Sequence, residues 1–143
     1  MGADHAGFQA KEELKKYLED LGFLVEDLGN AVLDEQDDYP DFIFPVAKAV
    51  SENPGSRGVV IGGSGQGEAM AANKIKGVRA AVIYDEYSAK MSREHNDANV
   101  ASFGARVTGI EKIKELTVLW LNAPFSNEER HKRRIEKIES WSK

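Results

Sequence analysis

The chain has 143 residues, no cysteine, three histidines and a formal net charge of −5, and this length fits one domain that buries roughly two thirds of its unfolded surface. The lack of cysteine excludes disulfides, thiolate zinc sites and a cysteine nucleophile, and the acidic balance argues against bulk binding to nucleic acid. No apolar run approaches the roughly 20 residues of a membrane span, and Asp4, His5, Lys11 and Glu12 interrupt any leader-like stretch, so a cytoplasmic address is expected.

In chain order, Phe8, Leu14, Tyr17, Leu18 and Leu21 recur at helical spacing, and Gly22 closes that segment. Residues 23–28 read as a short strand and 30–38 as a polar loop. Residues 41–52 read as a helix with Phe42, Val46, Ala49 and Val50 on one side, and Pro45 is tolerable near its start. After the turn cluster Asn53-Pro54-Gly55-Ser56, residues 58–62 form an apolar run, as expected of a strand covered on both faces. A glycine loop leads into a helix over 68–74. A buried strand (80–83), a helix (86–94), a weaker strand (100–103) and a helix (110–121) follow. Ser126 and Glu129 match a capping box that opens a last helix running to about Trp141. This alternation predicts an α/β fold with a doubly wound parallel sheet, whose ligands bind beyond the carboxyl ends of the strands. The loops 62–67, 84–85 and 104–108 are therefore the place for a site.

The strongest local signal is Gly62-Gly63-Ser64-Gly65-Gln66-Gly67-Glu68, set between an apolar run and a helix. Its glycines let backbone amides turn toward a ligand, and a helix amino end favours negative charge. Against the dinucleotide fingerprint G-x-G-x-x-G the loop reads G-x-G-x-G, although Asp85 lies about 20 residues on. The Walker pattern fails, because no Gly-Lys-Ser/Thr follows. An oxyanion hole for an enediolate is another reading, and Glu68 beside it is placed to remove a proton α to a carbonyl. A ligand-free glycine turn, and for Glu68 a surface helix-dipole position, are the alternatives. His5, His95 and His131 sit in charged clusters without metal-ligand spacing, so no metal is expected. Arg130 and Arg134 share a helix face, either as a clamp for a phosphate monoester or as a basic patch paired with Glu128, Glu129 and Glu136. Asp38-Tyr39-Pro40-Asp41 reads as a turn into a helix.

Six motifs then combine: Asp4-His5-Ala6-Gly7; Asp38-Tyr39-Pro40; Gly63 to Glu68 with Ala71-Ala72-Asn73-Lys74; Glu94-His95-Asn96; Gly104-Ala105-Arg106; and Arg130-His131-x-x-Arg134. In this order, over nearly the whole chain, they resemble the ribose-5-phosphate isomerase B family, which also contains galactose-6-phosphate isomerase subunits. The resemblance implies a single sugar-phosphate isomerase domain over 1–143, with a Rossmann-like five-stranded parallel sheet flanked by helices. It implies aldose–ketose isomerisation of a sugar phosphate through an enediolate, without cofactor or metal. It also implies a homodimer or tetramer with shared active sites, the helix 127–141 at the dimer interface, and no nucleic-acid or membrane partner. By motif position, Glu68 resembles the general base and Ser64 a proton relay, while the amides of Gly63, Gly65, Gln66 and Gly67 line the oxyanion hole. Asp4 and His95 would help open the sugar ring, and Tyr39 and Asn96 would contact substrate. His5, Arg106, Arg130, His131 and Arg134 look like the phosphate pocket, with His5 or His95 serving the partner's site. Six-carbon substrates (allose or galactose 6-phosphate) and a non-catalytic phosphate- or nucleotide-binding module are the competing functions.

Two departures stand out. Some members carry a cysteine base where this chain has Gly62, so the resemblance is to the glutamate-using branch. The strand expected before Asp4, central in the family's sheet, is reduced to Met1-Gly2-Ala3. Its loss would leave buried edges unpaired. Four clear strands rather than five, a start assigned too late and doubtful stability are therefore expected.

Overall fold

Alternation within the strands sets the layers, because successive side chains of a strand point to opposite faces. In the computed structural model, which describes residues 1–141, Val59 and Ile61 face one core and Val60 the other. The strands are β1 (Gly2–Ala3), β2 (Gly58–Gly62), β3 (Ala80–Val82) and β4 (Val100–Gly104). The helices are α1 (Phe8–Asp20), α2 (Pro40–Glu52), α3 (Gln66–Ala72), α4 (Glu86–Glu94), α5 (Ile110–Asn122) and α6 (Glu129–Trp141). All strand pairs are parallel, in the order β1-β2-β4-β3, with Gly58 opposite Val100 and Gly62 opposite Gly104. One face packs on α1, α4 and α5 through Leu14, Leu18, Ala89, Ile113, Leu116 and Trp120. The other packs on α2 and α3 through Ile43, Val46, Val50, Ala71 and Ala72. The fold is thus the doubly wound α/β arrangement. Among the described residues, no helix is long and apolar enough to cross a membrane.

Several expectations are corrected. Residues 23–28 form no ladder strand: they run beside β1 with two backbone links, the Met1 ammonium to the Glu26 carbonyl at 2.5 Å and Leu28 N–H to the Met1 carbonyl at 2.8 Å. The four strands are therefore completed by the two-residue β1, which takes the edge of the sheet rather than its centre. On the β1 side, β2 is paired at Val60 and Ile61 alone. A cavity of about 520 Å³, lined by Met1, Phe23, Val25, Val46, Val50 and Val59 among others, lies next to the Gly58–Val59 stretch that β1 does not reach. Ser126 does not close a box with Glu129. Its hydroxyl accepts from Glu128 N–H at 3.4 Å and meets the His131 ring instead, and α6 opens at Glu129. The reciprocal capping box is at α4, where Asp85 accepts from Ser88 N–H at 2.7 Å and the Ser88 hydroxyl accepts from Asp85 N–H at 3.1 Å.

Candidate active site

The loops at the carboxyl ends of β1, β2 and β4 converge. β2 ends at Gly62, and the chain turns through Gly65, whose φ of +80° is open to glycine at little cost, before α3 begins at Gln66. The turn is pinned from below, because the buried Ser102 hydroxyl donates to the Gly65 carbonyl at 2.6 Å. Ser64 is exposed on the turn, and its hydroxyl accepts from Gln66 N–H at 3.3 Å. Glu68 follows as the third residue of that helix and is only 4 % exposed. Its carboxylate folds back over Gly62, so that any Cβ at residue 62 would collide with both carboxylate oxygens. Burial raises the Glu68 carboxyl above its ordinary value and the nearby Asp4 carboxylate pushes the same way, while the amides of Glu68 and Gly65 oppose them. This is the environment of a carboxylate held as a base.

Three further loops close around this turn. The Tyr39 ring stands over Gly67, where an added Cβ would lie 2.8 Å from Cζ. Arg106, after β4, reaches back over Gly63. Asp4, 7 % exposed, accepts from Gly7 N–H at 3.0 Å and so shapes the turn between β1 and α1. His5 and Arg106 line one cleft of about 470 Å³ together with Ala6, Leu33, Glu35 and Gln36. The structure therefore brings together Asp4, His5, Tyr39, Gly63, Ser64, Gly65, Gln66, Gly67, Glu68 and Arg106.

It does not bring the others there. His95 ends α4, at the opposite end of the sheet. Asn99 and Arg79, which flank the amino ends of β4 and β3, bond each other there, and the Arg79 guanidinium donates to the carbonyls of Asn96 and Asp97. Ser126 N–H donates to the Glu94 carbonyl at 3.1 Å and brings the start of α6 to the same place. The His95 and His131 rings lie 4.4 Å apart, tilted by 44°, and the Ser126 hydroxyl meets His131 Nδ1 at 2.8 Å. Burial, then the neighbouring His95 and Arg130, lower the proton affinity of His131. Arg130 pairs with Glu128 at 2.7 Å, whereas Arg134 is exposed one turn further on. Asn96 is exposed beside His95. The strands separate this cluster from the glycine turn by roughly 13 Å, four steps of about 3.3 Å.

Two residues carry more than their sequence shows: Asp37, which no motif singles out, and Gly62, which stands out only as part of the glycine turn and for the cysteine it replaces. Asp37 is paired with His5: its Oδ1 lies 2.6 Å from His5 Nδ1 and accepts from His5 N–H at 3.1 Å. Gly62 matters for what it leaves open. Neither has a periodic signal; the adjacency of Asp37 to the Asp38-Tyr39-Pro40 motif and the place of Gly62 in the glycine run are the hints. Asp85, which kept a nucleotide reading open, caps α4 with its carboxylate. For a cation, Asp4, His5 and Asp37 bring ligand atoms within 4.8 Å of one another. The His5 and Asp37 atoms are already engaged with each other, and Asp37 Oδ2 accepts from Asn30 Nδ2 at 3.2 Å.

Comparison with known proteins bears on the family and the fold. The family model described as Ribose/Galactose Isomerase matches residues 1–138. A ribose-5-phosphate isomerase B of Escherichia coli is 42 % identical over 137 residues, covering 96 % of this chain and 91 % of that protein. A type B ribose 5-phosphate isomerase of Trypanosoma cruzi superposes with a TM-score of 0.92 at 46 % identity, covering 97 % of this chain and 92 % of the other. A ribose-5-phosphate isomerase B of Mycoplasma genitalium, solved with bound ribulose-5-phosphate, gives a TM-score of 0.94 at 39 % identity and covers 98 % and 92 % of the two chains. Sequence and fold agree along almost the entire length, and the chain belongs to the ribose/galactose isomerase family.

Proposed function

We propose that this protein interconverts ribose 5-phosphate and ribulose 5-phosphate in the cytoplasm, with Glu68 as the base. The observation that carries the assignment is the buried Glu68 carboxylate, folded over Gly62 inside a turn of backbone amides. With the sugar in its open form, Glu68 takes the proton from C2, and the electron pair of that bond moves through the carbon chain onto the C1 oxygen. The resulting enediolate accepts hydrogen bonds from the amides of Gly63, Gly65, Gln66 and Gly67. A proton passes from O2 to O1 with Ser64 as relay, and Glu68 returns its proton to C1. No atom is gained or lost, and no cofactor is required. Asp4 and His95 assist ring opening, Tyr39 and Asn96 hold the sugar, and His5, Arg106, Arg130, His131 and Arg134 take the phosphate, whose binding energy is remote from the reacting carbons.

Because His95, Asn96, Arg130, His131 and Arg134 lie at the other end of the sheet from Glu68, one active site takes its two halves from two subunits. The exposed Phe44, Met70, Tyr84, Tyr87 and Trp141 support such an assembly, with the helix 127–141 at the contact. The test is conversion of ribose 5-phosphate by the purified protein, with six-carbon phosphates alongside. Glu68→Gln is expected to lower kcat by about 10²–10⁴ with KM nearly unchanged. Full activity in that variant would remove the base assignment.

A further inference from the structure

The carboxylate of Asp37 makes more contacts with the candidate site than any role given so far requires. Its side chain is 5 % exposed, and three donors converge on it: the His5 N–H, the His5 ring at Nδ1 and the Asn30 amide. With Nδ1 engaged, Nε2 is the polar atom the ring has left for a ligand, and His5 shares its cleft with Arg106. Arg106 forms no ion pair among the described residues. Two cations side by side repel, and Arg106 does lower the proton affinity of His5. The hydrogen bond that the His5 ring donates to the Asp37 carboxylate outweighs both this and desolvation, with further support from the Asp4 and Asp37 charges, and keeps His5 above its ordinary value. The charged groups around the ring are thus Asp4 on its own turn, Asp37 and Glu35 on the 30–38 loop, and Arg106 after β4.

We propose that Asp37 is a positioning residue, which clamps the His5 ring with Nε2 toward the cleft and balances its charge so that His5 and Arg106 together hold the phosphoryl group of the substrate. The proposal rests on the isomerase reading for the identity of the substrate, but the Asp37–His5 coupling itself is measurable without turnover. A dianion is held best by two fixed cationic donors, and a doubly cationic cleft exists before the ligand arrives only if a carboxylate behind it offsets the repulsion. Asp37 touches His5 and acts through it.

The test combines ring NMR of histidine-labelled protein with steady-state kinetics across pH. The His5 signal is assigned by its loss in His5→Gln and followed in wild type, Asp37→Asn and Asp37→Glu, with and without inorganic phosphate. In Asp37→Asn the His5 pKa is expected to fall, KM for ribose 5-phosphate to rise about tenfold above neutral pH, and kcat to stay within about twofold. The pH at which KM starts to climb should drop by the same amount as the NMR titration. Asp37→Glu should recover part of both. An unchanged His5 titration, a KM–pH break that stays in place while the titration moves, or a loss confined to kcat would each overturn the proposal. Should Asp37→Asn fail to fold, wild type decides alone: phosphate must raise the His5 pKa, and a His5 signal indifferent to phosphate overturns the idea. A wild-type protein that binds phosphate through His5 but turns over no sugar phosphate removes the isomerase reading and leaves the coupling standing.

Discussion

At residue 62 the side chain that is absent decides what Glu68 can do. The Glu68 carboxylate occupies the space that a Cβ would need, so the carboxylate and the glycine are one feature. Gly62→Ala is expected to lower kcat by about 10²-fold or more by displacing the carboxylate, although alanine is less costly than glycine in a strand. Circular dichroism should show an intact fold, and activity near wild type would show that the carboxylate works from another position. The histidines divide in the same residue-by-residue way. His5 sits beside a carboxylate that raises its proton affinity, while burial, with His95 and Arg130 alongside, lowers that of His131, although both lie in equally charged stretches of sequence.

At the scale of elements, the loops that build the site are tied to helices by buried polar contacts. Lys11 is fully buried on α1, and its ammonium meets Asp27 at 2.5 Å and Glu12 at 2.6 Å. Burial pushes the Asp27 carboxyl up, but Lys11 and the Gly29 amide outweigh it and hold it below the usual range. This link fastens the segment that runs beside β1, where backbone pairing is sparse. Lys11→Ala should cost about 3 kcal/mol in chemical denaturation, the low end for a broken buried pair because Glu12 keeps water. A loss under about 1 kcal/mol would mean that the pair is solvated and structurally idle. Element type was legible where periodicity was strong: α1, α2, α4, α5, β2 and β4 fall within a residue or two of their expected bounds. It failed at 23–28, where β-type composition met too short a partner to form a ladder.

For the whole molecule, the separation of the two residue clusters is the dominant fact. α4 runs back along the sheet, so His95 at its end cannot stand beside the glycine turn that follows β2. If two subunits complete each site, inactive Glu68→Gln and His95→Asn proteins should rescue one another. Random exchange gives dimers of which half are mixed, each with one intact site of two, so about a quarter of wild-type activity should return. Mixed dimers without recovery would place both residues in the site of a single chain. The pairing of the two-residue β1 also belongs to this scale, since the Gly58–Val59 stretch, paired to β4 but not to β1, borders a cavity at the end of the sheet away from the glycine turn.

Local pattern determined the parallel α/β class and the glycine turn, because periodicity and motif spacing are properties of neighbours along the chain, while the order of six motifs carried the resemblance that named most of the candidate site residues. What motif order could not determine was which of those residues meet. Ten converge at the carboxyl ends of the strands, while His95, Asn96, Arg130, His131 and Arg134 gather at the other end. Asp37 and Gly62 acquire meaning only through contacts, one with His5 across 32 residues and the other with Glu68 across the turn. The reason is physical: a strand fixes direction, and the helix that follows carries the chain back, so residues adjacent in a list of motifs end at opposite poles of the sheet.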